Sequence, residues 1–111
     1  MSDLTFRELQ EQQAVWAARN FGDTPPHRPL LGALEELGEL AHAHLKDEQG
    51  IRGTSEHHTA KKKDAIGDII VYLADYCTRQ GFSLQEAIEL TWSEVSQRDW
   101  VANPQTGGIA S

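Results

Sequence analysis

The chain has 111 residues, enough for one domain with one modest core, and 10 Lys and Arg against 17 Asp and Glu leave a formal charge of −7. That acidity argues against a nucleic-acid backbone or an anionic membrane as the main partner, since both recruit basic surface; a nucleotide held through metal ions stays possible. No apolar run reaches a membrane span, the N-terminus MSDLTFRELQEQQ lacks the basic and apolar regions of a signal peptide, and the lone Cys77 excludes an internal disulfide framework, so a cytoplasmic location is expected.

Thr5-Phe-Arg-Glu8 has the spacing of a capping box and predicts a first helix from Thr5 to about Asn20. Its apolar face is thin: Phe6, Leu9, Trp16 and Ala17, with Gln10, Gln13 and Asn20 on the same side. Those amides either sit partly wet beside a small core or point into a pocket and meet a polar ligand. FGDTPPHR, residues 21–28, reads as a loop, because Gly22 and the Pro25-Pro26 pair interrupt helix.

Pro29 to Lys46, PLLGALEELGELAHAHLK, predicts a second helix with Pro29 in its first turn. At about 100° per residue, Leu30, Leu34, Leu37, Ala41 and Leu45 share one stripe, and Glu35, Glu36 and Glu39 fall opposite. No Lys or Arg lies between Pro29 and Lys46 to neutralise them. Crowded carboxylates repel unless a cation joins them, and an oxygen-preferring ion such as Mg2+ suits the role. Residues 47–59, DEQGIRGTSEHHT, are polar with two glycines and predict a flexible connection, its His57-His58 pair exposed to solvent.

Lys61-Lys62-Lys63 is expected to open the third helix, which closes at Gly81. Lysines at a helix N-terminus oppose its dipole, which favours a role such as meeting phosphate. Ile66, Ile70, Leu73 and Cys77 form an apolar stripe, with Asp64 and Asp68 on the other side and Asp75 a further turn along. Val71 and Tyr72 flank the acidic side. A helix apolar nearly all round is usually buried, and a buried Asp needs a partner or a metal.

Ser83-Leu-Gln-Glu86 is a second capping box, opening a fourth helix with Leu84, Ala87, Ile88, Thr91 and Val95 inward and an end around Gln97 to Trp100. The tail, residues 101–111, has no helical period and is expected to fray or lie on the surface. No stretch alternates convincingly as a strand. The fold class is therefore all-α: a single four-helix bundle-like domain over 1–111. Its third helix has more apolar face than one small domain covers, so the chain is expected to pair through helix faces as a homodimer or homotetramer.

Carboxylates projecting from facing helices are how bundles build internal metal sites. Glu35, Glu36 and Glu39 would face Asp68, with Asp64 close by. LLGALEELGELAHAHLK followed by KKKDAIGDIIVYLADYC resembles the E-E-x-x-E and Asp-bearing helices of the MazG-like all-α nucleoside triphosphate pyrophosphohydrolases. The resemblance extends upstream to QQAVWAARNF and downstream to WSEVSQRDWVANPQTG, and so covers most of the chain in the family's order. It implies Mg2+-dependent hydrolysis of an NTP or dNTP to the monophosphate and pyrophosphate, with Mn2+ as a second candidate ion. The implied metal ligands are Glu35 or Glu36, Glu39 and Asp68, and Tyr72 resembles the family's aromatic near the nucleotide. The family's second motif, E-x-x-D, would place a Glu at position 65. Here Ala65 stands there, and Asp64, one turn from Asp68, is the acid available to substitute.

The residue types suit that chemistry, because phosphoryl transfer asks mainly for positioning and charge neutralisation. Glu36 is the candidate for taking a proton from the attacking water. Lys61, Lys63 and Arg98 are candidate cations. Gln13 and Asn20 are candidate polar contacts to substrate, and Trp16 and Trp92 candidate stacking partners for the base; for each Trp a core role is the competing reading. Two other functions remain open. Glu39-x-x-His42 has the spacing of carboxylate-bridged di-iron bundles, which would need a second chain for a second copy. Alternatively, the chain is a non-catalytic helical interaction module, a reading that Ala65 favours.

Overall fold

Thr5, Thr54 and Ser83 turn the chain into helices by one device. Each hydroxyl accepts the backbone N–H three residues on, from Glu8 (3.1 Å), His57 (3.1 Å) and Glu86 (3.2 Å). These caps satisfy amides that a helix start leaves without partners. In the computed structural model, which describes residues 3–108, the helices are α1 (Phe6–Phe21), α2 (His27–Gln49), α3 (Ser55–Gln80) and α4 (Leu84–Val95). No strand occurs among the described residues, and none of their helices is long and apolar enough to cross a membrane.

Two boundaries differ from the sequence expectation. α2 begins at His27 rather than Pro29, because the early turns of a helix do not need the N–H that Pro29 lacks. α3 begins at Ser55, well before Lys61, because Thr54 caps it. The α2–α3 connection thus contracts from residues 47–59 to a short hinge, 50–54. It opens with Gly50 in the left-handed region (φ 68°), where the N–H of Ile51 reaches back to the Lys46 carbonyl at 3.1 Å. Lys61, Lys62 and Lys63 lie beyond the first turn, so the helix-dipole argument does not apply to them.

The packing is open. α2 lies against α3 alone, while α1 packs on α3 and α4. The buried positions are small: Ala17, Ala33, Ala43, Ala65, Ala74 and Cys77, with Leu84 the largest apolar one. Ala74, Cys77 and Leu84 form the core, supported by Leu9, Ile70 and Ile88. Small side chains let α2 and α3 approach closely. The leucine stripe of α2 points away from that contact, with Leu34 63 % and Leu37 53 % exposed. Phe6, Trp16, Ile66, Ala87, Thr91 and Val95 are exposed too, and α4 from Glu89 onward has no buried residue. Its expected inward face shrinks to Leu84 and Ile88 because no helix of the same chain lies across from its second half. The radius of gyration is 17.5 Å, whereas a compact chain of this length would measure roughly 13 Å.

Polar ties fix the helices that do meet. The Gln10 side chain donates to the Thr78 hydroxyl (3.2 Å) and the Phe82 carbonyl (3.0 Å) and accepts from the Leu84 N–H (2.9 Å), joining α1, α3 and α4. Arg79 pairs with Asp75 at 3.0 Å and with Asp23 at 3.1 Å, and donates to the Thr24 carbonyl at 3.0 Å. Asp75 is therefore a structural ion-pair partner. As far as Gly108 the tail runs in turns and, Gly107 apart, lies exposed, as the surface alternative expected. Asp99 accepts from the N–H groups of Val101 and Ala102, and its own N–H donates to the Gly107 carbonyl at 2.8 Å. Residues 109–111 of the expected tail lie outside the described residues.

Candidate functional site

Because α2 turns its leucines outward, its acidic side faces α3. A cleft of about 470 Å³ runs between the two helices. At one end it is lined by Glu36 and Glu39 from α2 and by Asp64, Ala65 and Asp68 from α3. At the other end, toward the hinge, it is lined by His42 and Lys46, by Arg52, and by His57, His58 and Lys61. The cleft is thus acidic where the helices run mid-length and cationic where the chain reverses.

The acidic end is electrostatically tense. The Glu36 carboxyl is held above its ordinary value, first by burial, then by Asp68, Glu39, Asp64 and Glu35 in decreasing order. Four neighbouring carboxylates thus act on one that is itself partly buried. Among the described residues, no three His, Cys, Asp or Glu side chains stand close enough to form a ready-made chelate. Mg2+ seldom needs one: it is usually held by one or two carboxylates, with water and substrate phosphates completing its shell. The donor set fits a hard cation that arrives with a phosphate ligand.

The hinge is held firmly. The Lys62 ammonium meets the Asp47 carboxylate at 2.7 Å, and that hydrogen bond is the first cause holding the Asp47 carboxyl below its ordinary value. His58 is 5 % exposed, its Nε2 2.9 Å from the Ile51 carbonyl. A carbonyl only accepts, so Nε2 carries the hydrogen. Gly53 has φ 134°, and a Cβ there would stand 2.8 Å from the His57 ring. Between these anchors Arg52 adopts φ 62°, the one non-glycine residue in the left-handed region among those described. That conformation costs an L-residue about 1 kcal/mol or more, and is kept because the surroundings over-determine it.

The structure sorts the expected site residues into two groups. Glu36, Glu39, Asp64, Asp68 and Lys61 line one cleft. Glu35 is exposed and lies outside the lining, though near enough to act on Glu36. Lys63 is exposed, because two residues along a helix turn a side chain to the far side. Arg98 lies beyond α4, paired with Glu94 at 3.2 Å and covered by Gly107. Gln13 is buried in α1 with its side-chain oxygen lacking a hydrogen-bond partner among the described residues. Asn20 donates to the Trp16 carbonyl at 2.8 Å, and Trp16 meets Phe21 edge-on with ring centroids 5.4 Å apart. Trp92 is 65 % exposed. Within this one chain, none of Arg98, Gln13, Asn20, Trp16, Trp92 and Tyr72 lines the cleft. Tyr72 continues the line of Asp64 and Asp68 along α3 and packs over Gly32 of α2.

Sequence reasoning offered His42 only as the partner of Glu39 in an iron centre, and did not place Lys46, Arg52, His57 or His58 at the cleft. Recognising Thr54 as a helix cap would have put both adjacent histidines on α3, where His57 is exposed as expected and His58 is buried. Another cleft, about 570 Å³, lies among α1, the end of α3 and the start of α4. It is open and is spanned by the Gln10 hydrogen bonds that hold those helices together. Compared with protein-family models and with curated proteins, the chain matches none.

Proposed function

We propose that the chain is a Mg2+-dependent nucleoside triphosphate pyrophosphohydrolase of the MazG-like all-α kind, splitting an NTP or dNTP into the monophosphate and pyrophosphate. The observation that carries this reading is the cleft between α2 and α3, with Glu36, Glu39, Asp64 and Asp68 at one end and Lys61 toward the other. A polyphosphate needs both kinds of group: carboxylates to recruit a divalent ion, and cations to meet the oxygens left over.

Glu39, Asp64 and Asp68 would hold the ion. Bound there, Mg2+ would supply positive charge to neutralise the phosphates. Water attacks phosphorus as the anhydride bond between the α and β phosphates breaks, and pyrophosphate leaves. Glu36 takes the proton from that water. Its raised carboxyl makes it a stronger base than an ordinary glutamate. Lys61 meets the charge on the phosphates, and Tyr72 offers its ring to the nucleoside.

The same reading includes a homodimer or homotetramer. The support is the outward leucine stripe of α2 and a radius of gyration larger than one compact domain requires. A screen for pyrophosphate release over canonical and modified NTPs and dNTPs, with Mg2+ and with Mn2+, tests the activity. Release from at least one of them is expected, and no release from any overturns the assignment.

One observation favours a second reading. His42 lines the same cleft as Glu39, so the Glu39-x-x-His42 pair presents an imidazole beside the carboxylates. Stoichiometric iron and a visible absorption band in the purified protein would select a carboxylate-bridged iron centre instead.

A further inference from the structure

We infer that Arg52 is a binding residue for the pyrophosphate end of the substrate, so that the triphosphate lies along the cleft with its terminal phosphates at the hinge and its nucleoside toward Tyr72. This rests on the proposed pyrophosphohydrolase reading. The first support is the direction of charge. Along α3 the cleft passes from Asp68 to Asp64, then to Lys61 and His57, and along α2 from Glu36 to Lys46. A chain of phosphates carries most negative charge at its free end, so that end settles where the cations are.

The second support is that, of the three Lys and Arg that line the cleft, Lys46 is already engaged among the described residues while Arg52 and Lys61 are not. Lys62 pairs with Asp47, Arg79 with Asp75 and Asp23, Arg98 with Glu94, and Lys46 donates to the Gln49 side chain at 3.0 Å. Among the described residues, no carboxylate stands within ion-pair distance of Arg52. Its guanidinium is the planar fork that grips two phosphate oxygens at once.

The third support is the scaffold. The buried His58 pins the Ile51 carbonyl, Gly53 lets the backbone pass close to His57, and Lys62 ties α3 to the end of α2. Arg52 is fixed in a left-handed conformation at the mouth of the cleft by groups on both sides of it. His58 acts here as a positioning residue, holding the hinge while contacting no phosphate.

The test is calorimetric titration of the 111-residue chain with inorganic pyrophosphate and, separately, with a nucleoside monophosphate, both in the presence of Mg2+. Arg52→Gln is expected to weaken pyrophosphate binding roughly tenfold or more, the order of a lost bidentate charge contact, and to change monophosphate binding by less than about twofold. Arg52→Lys recovers part of the loss. Arg52→Gly removes the guanidinium and also relaxes the left-handed backbone, so it keeps its melting temperature while binding pyrophosphate as weakly as Arg52→Gln. Unchanged pyrophosphate affinity in Arg52→Gly, or an equal loss for both ligands, overturns the placement. A wild-type chain that binds no pyrophosphate does so too. If the wild type turns over an NTP and the variants bind pyrophosphate normally, this inference falls alone. If no NTP is cleaved but pyrophosphate binds through Arg52, the binding site stands and the enzymatic reading falls.

Discussion

The Tyr72 ring fills the space above Gly32 that any side chain there would need. A Cβ built on Gly32 would stand 2.6 Å from Cε1 of Tyr72 and 2.7 Å from Cζ. The glycine in the middle of α2 is therefore explained by a ring on α3. Helix propensity alone opposes it, at about 1 kcal/mol relative to alanine. Gly32→Ala is expected to leave the melting temperature nearly unchanged, because the gain in propensity offsets the displaced ring. Tyr72 is 38 % exposed and has room to swing outward. The cost then falls on the nucleoside: KM should rise several-fold with kcat less affected, the pattern of lost substrate binding. An unchanged KM would remove Tyr72 from the substrate site.

Glu39→Gln and Asp68→Asn are each expected to reduce turnover to background while leaving the fold intact. Both remove a charge from a crowd of like charges, so the metal-free protein should be as stable as wild type or more so. The pH dependence follows from Glu36. Its folded-state value is raised, so stability from its protonated form is complete below the ordinary carboxylate value. That stability is lost as pH rises through the raised value. Thermal melts of the metal-free protein across the mildly acidic range should show this fall, and Glu36→Gln should flatten it. Added Mg2+ should restore stability at neutral pH. Wild-type rates in Glu39→Gln or Asp68→Asn would end the metal-site assignment.

Leu34 and Leu37 belong to an apolar stripe that no described residue of the single chain covers. Leu34→Glu together with Leu37→Glu is expected to break the assembly. Light scattering at micromolar concentration should move from a multiple of 12.4 kDa to the monomer. A wild-type chain that already scatters as a monomer would refute the pairing of helix faces.

Most of the fold was legible because its signals are local. The capping boxes at Thr5 and Ser83 and the glycines at 22, 50 and 81 mark helix ends without reference to tertiary contacts. The acidic set was legible for the same reason: Glu36 and Glu39, then Asp64 and Asp68, repeat at helix spacing along one face of each helix. The cationic end was not legible. Arg52 and His57 reach the cleft only because Thr54 starts α3 early and the hinge folds back, a fact about two helices rather than one. Trp16 and Trp92 stand off the cleft for a related reason. Their helical positions suit a core or a stacking role, but α2 has only α3 for a neighbour, and both rings lie away from it. Lys63 stands off the cleft by rotation alone, since Lys61, two residues earlier, takes the cleft side.

Ala65 and Asp64 give the sharpest test of the site. Ala65 is 3 % exposed and lines the cleft between the two acidic helices, where a longer acid would deliver its carboxylate directly among Glu36, Glu39 and Asp68. Asp64 is exposed, carries a shorter side chain and approaches from one residue away, yet it lines the same cleft and acts on Glu36. If it serves as the substitute acid, its contribution is to ion affinity rather than to folding. Asp64→Ala should then raise the Mg2+ concentration for half-maximal rate roughly tenfold, about 1.4 kcal/mol, with little change in melting temperature. Ala65→Glu in that background should restore the Mg2+ response, because the new carboxylate has the cleft to project into. On its own, with Asp64 intact, Ala65→Glu adds a further like charge, so the metal-free protein should melt earlier and gain more stability from Mg2+ than wild type does. A Mg2+ titration unmoved by Asp64→Ala would leave Glu36, Glu39 and Asp68 as the whole acidic site.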